Sequence, residues 1–266
     1  MVKASPVLRT VTATRYVTPL REGGSLPAIV EADDCGLYVL KFKAAGQGPK
    51  ALIAELLAGE LARAMGLRVP ELVFIQLQAE LGRAEPDSEI RALLQASAGL
   101  NLGVDYLPGS ITFDSVAGPA PLAKEASELV CFDGYVMNVD RTAKNPNLLC
   151  WHRALWLIDF GAALYFHHAW GTALANRTSP FPQVQQHVLL PWATELHAAE
   201  ATLKQRLTPE VLQRTVDSIP AGWLLSEPSL EGPEQHRGAY LAWLLARLSA
   251  TGLFIAEAER ARAQLV

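Results

Sequence analysis

Three oxygen-bearing side chains in the middle of the chain have the spacing expected of a site that transfers a phosphoryl group. Asp140 and Asn145 are five positions apart, and Pro146 disfavours a helix there, so we predict a loop that aims both side chains at one point. Asp159 directly follows the apolar run 154–158, which predicts a carboxylate at the end of a buried strand. Phosphoryl transfer requires hard oxygen ligands for Mg²⁺ and a carboxylate that orients the attacking hydroxyl, and this set supplies both.

The order of these residues matches the pattern of kinases. In that pattern an Asp is followed five positions later by an Asn, and an Asp-Phe-Gly tripeptide ends a later strand. The pattern predicts that Asp140 orients the hydroxyl and that Asn145 and Asp159 hold the metal. A structural interpretation competes with it, because Asn-Pro-Asn is common turn chemistry and an Asp at a strand end often caps a helix. The correct order, with a hairpin predicted at 148–158, favours the kinase pattern.

A lysine on an earlier strand is the predicted counter-charge for the phosphates. Alternation along residues 37–43 places Lys41 and Lys43 on the same face as two apolar residues. A lysine aligned with a half-buried face either extends its ammonium to solvent or pairs with an anion such as a phosphate. Periodicity alone does not choose between the two lysines.

A predicted helix after this strand carries the glutamate that would pair with the lysine. Pro49 suits the first turn of this helix and Gly66 its end. Glu55 lies on a stripe of small residues, so it can approach a strand closely. Glu60 is the competing candidate, and a solvated glutamate is the structural alternative.

A glycine-rich break between two predicted strands is a candidate phosphate loop. Gly23, Gly24 and Ser25 form this break, and their backbone N–H groups could lie along phosphates because glycine lets the backbone approach closely. An ordinary hairpin turn explains the same residues equally well.

A second stretch, residues 99–109, is where a strand would leave one lobe of a kinase for the other. In the kinase interpretation the backbone of Val104, Asp105 and Tyr106 meets the adenine edge of the nucleotide. A plain linker is the alternative.

The pattern along the chain predicts an α+β, two-lobed, protein-kinase-like fold. A small antiparallel-sheet N-lobe would occupy residues 1–105, and a mainly helical C-lobe would occupy residues 106–266. Strand-like composition or alternation occurs at 7–20, 28–31, 37–43 and 70–79, and helical patterns occur at 49–66, 86–97, 121–138, 191–206, 208–218 and 233–262. The stretch after Gly161 is predicted to be irregular.

Composition restricts the class of protein. The 266 residues are 50% hydrophobic and 19% charged, enough to bury one large core or two smaller ones. The net charge of −4 gives no basic field for a nucleic-acid backbone, so nucleic acid is not expected as a main partner. The chain shows no leader-like start and no apolar run of membrane-spanning length, and we expect a soluble, cytoplasmic protein without membrane contact.

The cysteines and the histidine pair do not predict a metal centre or a disulfide framework. Cys35, Cys131 and Cys150 are odd in number and lack Cys-x-x-Cys spacing. His167 and His168 are adjacent, so on a strand they would point apart and lack a nearby third ligand. Packing or surface roles are therefore favoured for both.

Four ordered blocks between residues 20 and 165 resemble the HipA-like kinases, bacterial relatives of protein kinases and phosphatidylinositol kinases. The blocks are Tyr38 to Lys41, Glu55 with Leu61 to Pro70, Asn138 to Arg141 with Asn145, and Ile158 to Gly161. The resemblance implies a two-lobed fold that binds ATP and Mg²⁺. The roles it implies are phosphate contact for Lys41, pairing of Glu55 with that lysine, Asp140 as catalytic aspartate, Asn145 and Asp159 as metal ligands, and a phosphate loop at Gly23, Gly24 and Ser25.

The best-known members of this family phosphorylate proteins on serine or threonine, and they pair with a DNA-binding antitoxin. The resemblance therefore implies a protein substrate and an antitoxin-type partner. This sequence departs from the family at Thr142, where a histidine is usual. It also lacks a recognisable match to the extra N-terminal domain of the larger HipA proteins, which weakens the expectation of an antitoxin.

The leading hypothesis from the sequence is an ATP- and Mg²⁺-dependent kinase acting on a serine or threonine hydroxyl of a protein. A small-molecule or lipid kinase is the first alternative, because fold and nucleotide site do not name the acceptor. A pseudokinase that only binds nucleotide and an enzyme that transfers an adenylyl group are the others.

Overall fold

Strand-forming residues in the described part of the first 105 positions build five strands that close into a barrel. The computed structural model describes residues 8–20, 26–83, 85–173, 177–225 and 230–265. The strands are β1 (Thr10–Pro19), β2 (Ala28–Ala32), β3 (Leu37–Lys41), β4 (Leu72–Leu77) and β5 (Gly99–Asp105), in the order β1-β2-β3-β5-β4 around the barrel. All neighbouring pairs are antiparallel except β1 and β4, which pair in parallel with Thr10 opposite Phe74. The prediction of an antiparallel sheet is wrong for this pair, whose contact joins the two outer strands and closes the sheet.

The inward-facing side chains of these strands form a core of their own. Val11, Val30, Tyr38, Leu40, Val73 and Ile75 are among its members. The helix α2 (Ser88–Ala96) adds Ile90 and Leu94 to this core and begins at Asp87, whose carboxylate accepts the Glu89 N–H at 2.9 Å. Gly103 on β5 is closely packed, because an added Cβ would lie 2.4 Å from Ile75 Cδ1 on β4 and would force that side chain to shift.

The helix α1 (Pro49–Met65) is buried around most of its circumference. It ends at Gly66, whose φ of 88° lies in the left-handed region that favours glycine. Its leucines belong to a second core that continues into the C-terminal helices. Because both sides of α1 are covered, Glu55 and Glu60 are buried as well. Glutamates are rarely fully buried without a partner, so each should have one.

Among the described residues of the C-terminal half, a three-stranded sheet and five helices are the main elements. The elements are β6 (Ile111–Thr112), α3 (Ala123–Val136), β7 (Leu148–Trp151), β8 (Ala154–Leu157), α4 (Leu196–Arg206), α5 (Pro209–Asp217), α6 (Gly232–Ser249) and α7 (Thr251–Ala263). The predicted hairpin is β7–β8, and it turns at His152 and Arg153 with φ of 48° and 63°. The described residues between Gly161 and α4 include four short 3₁₀ turns and one isolated bridge at His187, and no described strand or long helix lies there, in agreement with the irregular structure predicted for this stretch.

The single helix predicted at 233–262 is wrong, because α6 and α7 meet at Ala250 with a bend of 58°. Two tertiary contacts favour the bend. Thr251 Oγ1 donates to Glu200 Oε1 at 2.6 Å, and Phe254 packs against Gly134 on α3. In the described parts of the chain no single helix is long and apolar enough to cross a membrane, and α6 and α7 meet that criterion only as a bent pair.

Candidate active site

The predicted lysine, glutamate and strand-end aspartate meet in the structure. Lys41 is the last residue of β3, and its Nζ lies 2.8 Å from Asp159 Oδ1 and 3.8 Å from Glu55 Oε2. Glu55 Oε2 also accepts a hydrogen bond of 2.8 Å from the Phe160 N–H. One buried carboxylate therefore holds both the lysine and the residue that follows Asp159.

The structure decides between the residues that periodicity left open. Lys43 donates from Nζ to the carbonyl oxygen of Ala98, just before β5. Glu60 Oε1 lies 3.4 Å from Arg63 Nε on the same helix. Lys41 and Glu55 are therefore the lysine and glutamate of this site.

The three charges of the site change one another's proton affinity. Burial disfavours the ammonium of Lys41, but the carboxylates of Glu55 and Asp159 outweigh burial and raise the pKa of Lys41. Burial raises the pKa of Glu55 against the attraction of Lys41. Burial also acts to raise the pKa of Asp159, yet Lys41 and the Gly161 N–H lower it overall. The Asp159 side chain is 44% exposed and is therefore open to a further ligand.

Asp159 has an uncommon backbone conformation. Its φ of 55° lies in the left-handed region, which few residues other than glycine adopt. The next residue, Phe160, is fully buried and packs edge-on against Phe132 with ring centroids 6.3 Å apart. Backbone conformations of this kind cluster at functional sites, where the surrounding packing maintains them. Here the packing of Phe160 holds Asp159 at the surface of the site.

Asp140 and Asn145 lie on a tight loop, as predicted. The Thr142 N–H donates to the carbonyl oxygens of Asp140 and Asn145, both at 3.0 Å, and the Asn145 N–H returns to the Thr142 carbonyl at 3.2 Å. Asn145 Nδ2 lies 2.7 Å from Asp140 Oδ2, and Asn147 Nδ2 lies 3.3 Å from the same oxygen. Because two amides donate to Oδ2, this oxygen is fixed, and Oδ1 is left to accept from another donor.

Asn147 joins this loop to the strand end that carries Asp159. The carbonyl oxygen of Asn147 accepts the Ile158 N–H at 3.1 Å and also accepts from Arg141 Nη1. The hairpin β7–β8 begins at the next residue. Asn145 precedes this hairpin and Asp159 follows it. Because Leu148 pairs with Leu157, the strand pairing places both predicted metal ligands at the open end of the hairpin.

A buried ionic network behind the loop was not predicted from the sequence. Asp133 on α3 accepts from Arg141 Nε at 2.6 Å and from His187 Nε2 at 2.9 Å. Asn138 Nδ2 donates to the other oxygen of this carboxylate at 3.2 Å. Burial acts to raise the pKa of Asp133, but the charge of Arg141 and the hydrogen bond from His187 lower it overall. A usable signal was present, because an aspartate inside the apolar stretch 129–137 requires a partner once the helix is buried.

The oxygen donors at the end of the hairpin fit a magnesium ion that is bound together with a nucleotide. The Asp159 carboxylate and the Asn145 amide oxygen are hard ligands, and Mg²⁺ held with substrate phosphates usually takes only one or two protein ligands. No group of three or more His, Cys, Asp or Glu side chains in the described ranges could hold a metal by itself. Phosphate oxygens would therefore have to complete the coordination.

Comparison of the sequence with protein families agrees with this geometry. A family model described as HipA-like kinase matches residues 14–254, which is most of the chain. The chain belongs to the HipA-like kinases. A comparison with individually curated proteins gave no match.

Solved kinase structures share the fold of this HipA-like kinase. The Helicobacter pylori proinflammatory kinase CtkA aligns with a TM-score of 0.59 and 13% identity, over 97% of this chain and 99% of that chain. The Golgi casein kinase with Mn/ADP bound aligns with a TM-score of 0.51 and 11% identity, over 97% of this chain and 76% of that chain. At these identities the likeness establishes the fold alone, which is α+β and kinase-like.

The nucleotide-edge residues predicted for this HipA-like kinase lie at and just beyond the end of β5. Val104 is buried, and the Asp105 N–H donates at 2.8 Å to the Glu71 carbonyl oxygen. The Tyr106 N–H donates at 3.0 Å to the Leu37 carbonyl oxygen. These two N–H groups are used within the barrel, and contact of this segment with an adenine edge stays a prediction.

The predicted phosphate loop cannot be placed in the same way. Gly23, Gly24 and Ser25 lie outside the described residues. The described strands on either side of them in the sequence, β1 and β2, pair up to Pro19 and Ala28, and the phosphate loop stays a prediction.

Histidines near the site have structural partners. His167 is fully buried, with Nδ1 2.9 Å from the Tyr240 hydroxyl and Nε2 3.2 Å from His168 Nε2. Burial, together with nearby His168, lowers the pKa of His167 well below its ordinary value. Packing or surface roles were predicted for the two histidines, and the structure buries His167 and leaves His168 exposed. At Thr142, where the family usually has a histidine, the backbone forms a single bridge with His187.

Proposed function

We propose that this HipA-like kinase is an ATP- and Mg²⁺-dependent enzyme that transfers the γ-phosphate of ATP to a serine or threonine hydroxyl of a protein. The observation that carries the proposal is the position of Lys41 Nζ between Glu55 and Asp159. Membership of a kinase family supports it, as does the Mn/ADP bound to the Golgi casein kinase of similar fold. In this proposal the barrel with α1 and α2 is the N-lobe, residues 1–105, and residues 106–266 form the C-lobe.

Each residue of the site has a separate task in the transfer. Lys41, kept cationic by two carboxylates, neutralises phosphate oxygens of the nucleotide, and Glu55 holds it in place. Asp159 and Asn145 would hold Mg²⁺, which would neutralise charge on the phosphates of the nucleotide. These interactions use positioning and electrostatics, which are the main sources of catalysis in phosphoryl transfer.

Asp140 acts on the acceptor. Its carboxylate accepts a hydrogen bond from the acceptor hydroxyl and orients the oxygen toward the γ-phosphorus. As the new oxygen–phosphorus bond forms, the bond between the γ-phosphorus and the bridging oxygen of ATP breaks and ADP leaves. The hydroxyl proton passes to Asp140.

The reaction type can be tested by intact mass after incubation of the protein with ATP and MgCl₂. A phosphoryl group adds about 80 Da, whereas an adenylyl group adds about 329 Da. Binding can be tested separately, since ATP at a hundred times its Kd should raise the free energy of unfolding by about 2.7 kcal/mol. Mg²⁺-dependent stabilisation without turnover would contradict the proposal and indicate a pseudokinase.

The acceptor can be tested by phosphoproteomics on cells that produce the parent chain, Asp140→Asn or Asp217→Asn. Asp217 is an exposed residue at the end of α5 and serves as the matched control. We expect serine and threonine phosphosites that appear with the parent and the control and are lost with Asp140→Asn. Identical profiles for all three proteins would contradict a protein substrate, and ATP turnover in the absence of such sites would indicate a small-molecule or lipid acceptor.

A further inference from the structure

His187 contacts the catalytic loop from a part of the chain that neither the sequence pattern nor the proposed mechanism uses. It follows the 3₁₀ turn Pro182–Gln186, in the stretch between the Asp-Phe-Gly tripeptide and α4, and it is 6% exposed. Its ring has a hydrogen-bond partner at each nitrogen. Nε2 lies 2.9 Å from Asp133 Oδ2, and Nδ1 accepts the Leu189 N–H at 3.0 Å.

These two contacts define the state of the imidazole. Because Nδ1 accepts a backbone N–H, the ring proton lies on Nε2 and is donated to Asp133. The backbone adds two further links, since the Val188 N–H donates at 3.1 Å to the Arg141 carbonyl oxygen and His187 pairs with Thr142. The segment 187–188 thus runs beside the residues that directly follow Asp140.

Asp133 also binds a residue on each side of Asp140 in the sequence. On one side, Asn138 Nδ2 donates to the Asp133 carboxylate, and the Asn138 side-chain oxygen accepts the Asp140 N–H at 3.2 Å. On the other side, Arg141 Nε lies 2.6 Å from Asp133 Oδ2, the same oxygen that His187 contacts. Two of the three hydrogen bonds to this carboxylate therefore come from residues that flank the catalytic aspartate.

We propose that His187 is a positioning residue for Asp140, and that the donation of its Nε2–H to Asp133 sets the geometry of the catalytic loop. The carboxylate of Asp133 is fully buried, so a lost donor cannot be replaced by bulk water. Without it, Oδ2 accepts from Arg141 alone, and the Asp133 carboxylate loses the contact that ties it to the segment 187–188. This inference rests on the proposed function for its catalytic consequence, while the positioning itself is a property of the loop.

Two substitutions separate the roles of the ring nitrogens. Glutamine carries an amide nitrogen at about the reach of Nε2, so His187→Gln keeps the donor to Asp133 and loses the acceptor for Leu189. Asparagine carries an oxygen at about the reach of Nδ1, so His187→Asn keeps the acceptor and loses the donor. Both variants remove the ring, so a role in packing alone predicts similar effects for the two.

The test combines hydrogen–deuterium exchange with ATP hydrolysis in MgCl₂. We expect His187→Asn to exchange faster than the parent in peptides covering 138–147, with peptides from the barrel unchanged and His187→Gln close to the parent. In hydrolysis we expect His187→Asn to lower kcat by roughly tenfold to a hundredfold with the KM for ATP little changed, because Asp140 orients the acceptor and not the nucleotide. His187→Gln should restore most of kcat.

Equal behaviour of the Gln and Asn variants in exchange, or faster exchange confined to residues 184–189, would overturn the positioning role. Failure of the proposed function is a different result. In that case Asp140→Asn would hydrolyse ATP as fast as the parent, and the exchange comparison would still decide whether His187 positions the loop.

Discussion

Replacement of Asp133 by asparagine should lower the free energy of unfolding by about 3–5 kcal/mol, because it leaves a buried charge without its partner. The carboxylate and the Arg141 side chain are both inaccessible to solvent, and they are joined by a contact of 2.6 Å. Asparagine has nearly the same volume, so no cavity adds to the effect. If its oxygen faces Arg141 and His187, its NH₂ group faces Asn138 Nδ2, and two donors then oppose each other.

This loss is large against the 5–15 kcal/mol of a typical domain, so it is measurable by urea unfolding followed by circular dichroism. Asp217→Asn, on the exposed surface of α5, is the control and should change the free energy by less than about 0.5 kcal/mol. Adding Arg141→Met to Asp133→Asn removes the unpaired cation, and the double-mutant cycle should show a coupling energy of about 1–3 kcal/mol. A single-variant loss below about 1 kcal/mol, or additive effects in the cycle, would refute the reasoning.

Three further predictions follow from the structure. Lys41→Met should lower ATP turnover by about a hundredfold or more. Lys43→Met should stay close to the parent in the same assay, because the ammonium of Lys43 binds a backbone carbonyl outside the site. The pKa of His167 is depressed in the folded state, so near pH 6.5 the unfolded chain takes up a proton that the folded chain does not. The free energy of unfolding should therefore fall as the pH drops from 7 to 5, by at most about 1.4 kcal/mol per pH unit. Urea unfolding at several pH values should show a shallower slope for His167→Gln, and an unchanged slope would count against this origin. Gly103→Ala should lower the free energy of unfolding by about 1–3 kcal/mol through a clash within the barrel. Gly222→Ala should have little effect, because an added Cβ there meets nothing within 4 Å. Equal melting temperatures for the two variants would contradict the packing described.

The central residues of the site could be predicted because their signals are local in the sequence. Asp140 and Asn145 share one loop, and Asp159 ends a strand whose apolar run is visible in the letters. Lys41 and Glu55 were harder to predict, because periodicity indicates the face of a strand or helix on which a residue lies but not the residue that it contacts. Only the three-dimensional contact of Lys41 with Asp159 excludes Lys43.

The sequence indicates that Asp133 needs a partner, but it does not predict His187 as one, because the two residues are distant in the chain. Asp133 and His187 are separated by 54 positions, and no periodic pattern relates them. The same holds for the parallel pairing of β1 with β4, which depends on closure of the whole barrel. At the break between α6 and α7 the residue is Ala250, a strong helix former, so contacts with other helices override local propensity there.

The central claim is that Asn145 and Asp159 hold a divalent ion beneath the phosphates of ATP. The most direct measurement is anomalous diffraction from crystals grown with Mn²⁺ and a non-hydrolysable ATP analogue. We expect a manganese peak within about 2.5 Å of the Asp159 carboxylate and the Asn145 side-chain oxygen, with Lys41 Nζ moved from Asp159 to a phosphate oxygen. A manganese–nucleotide complex bound elsewhere, with Lys41 still paired to Asp159, would contradict the account.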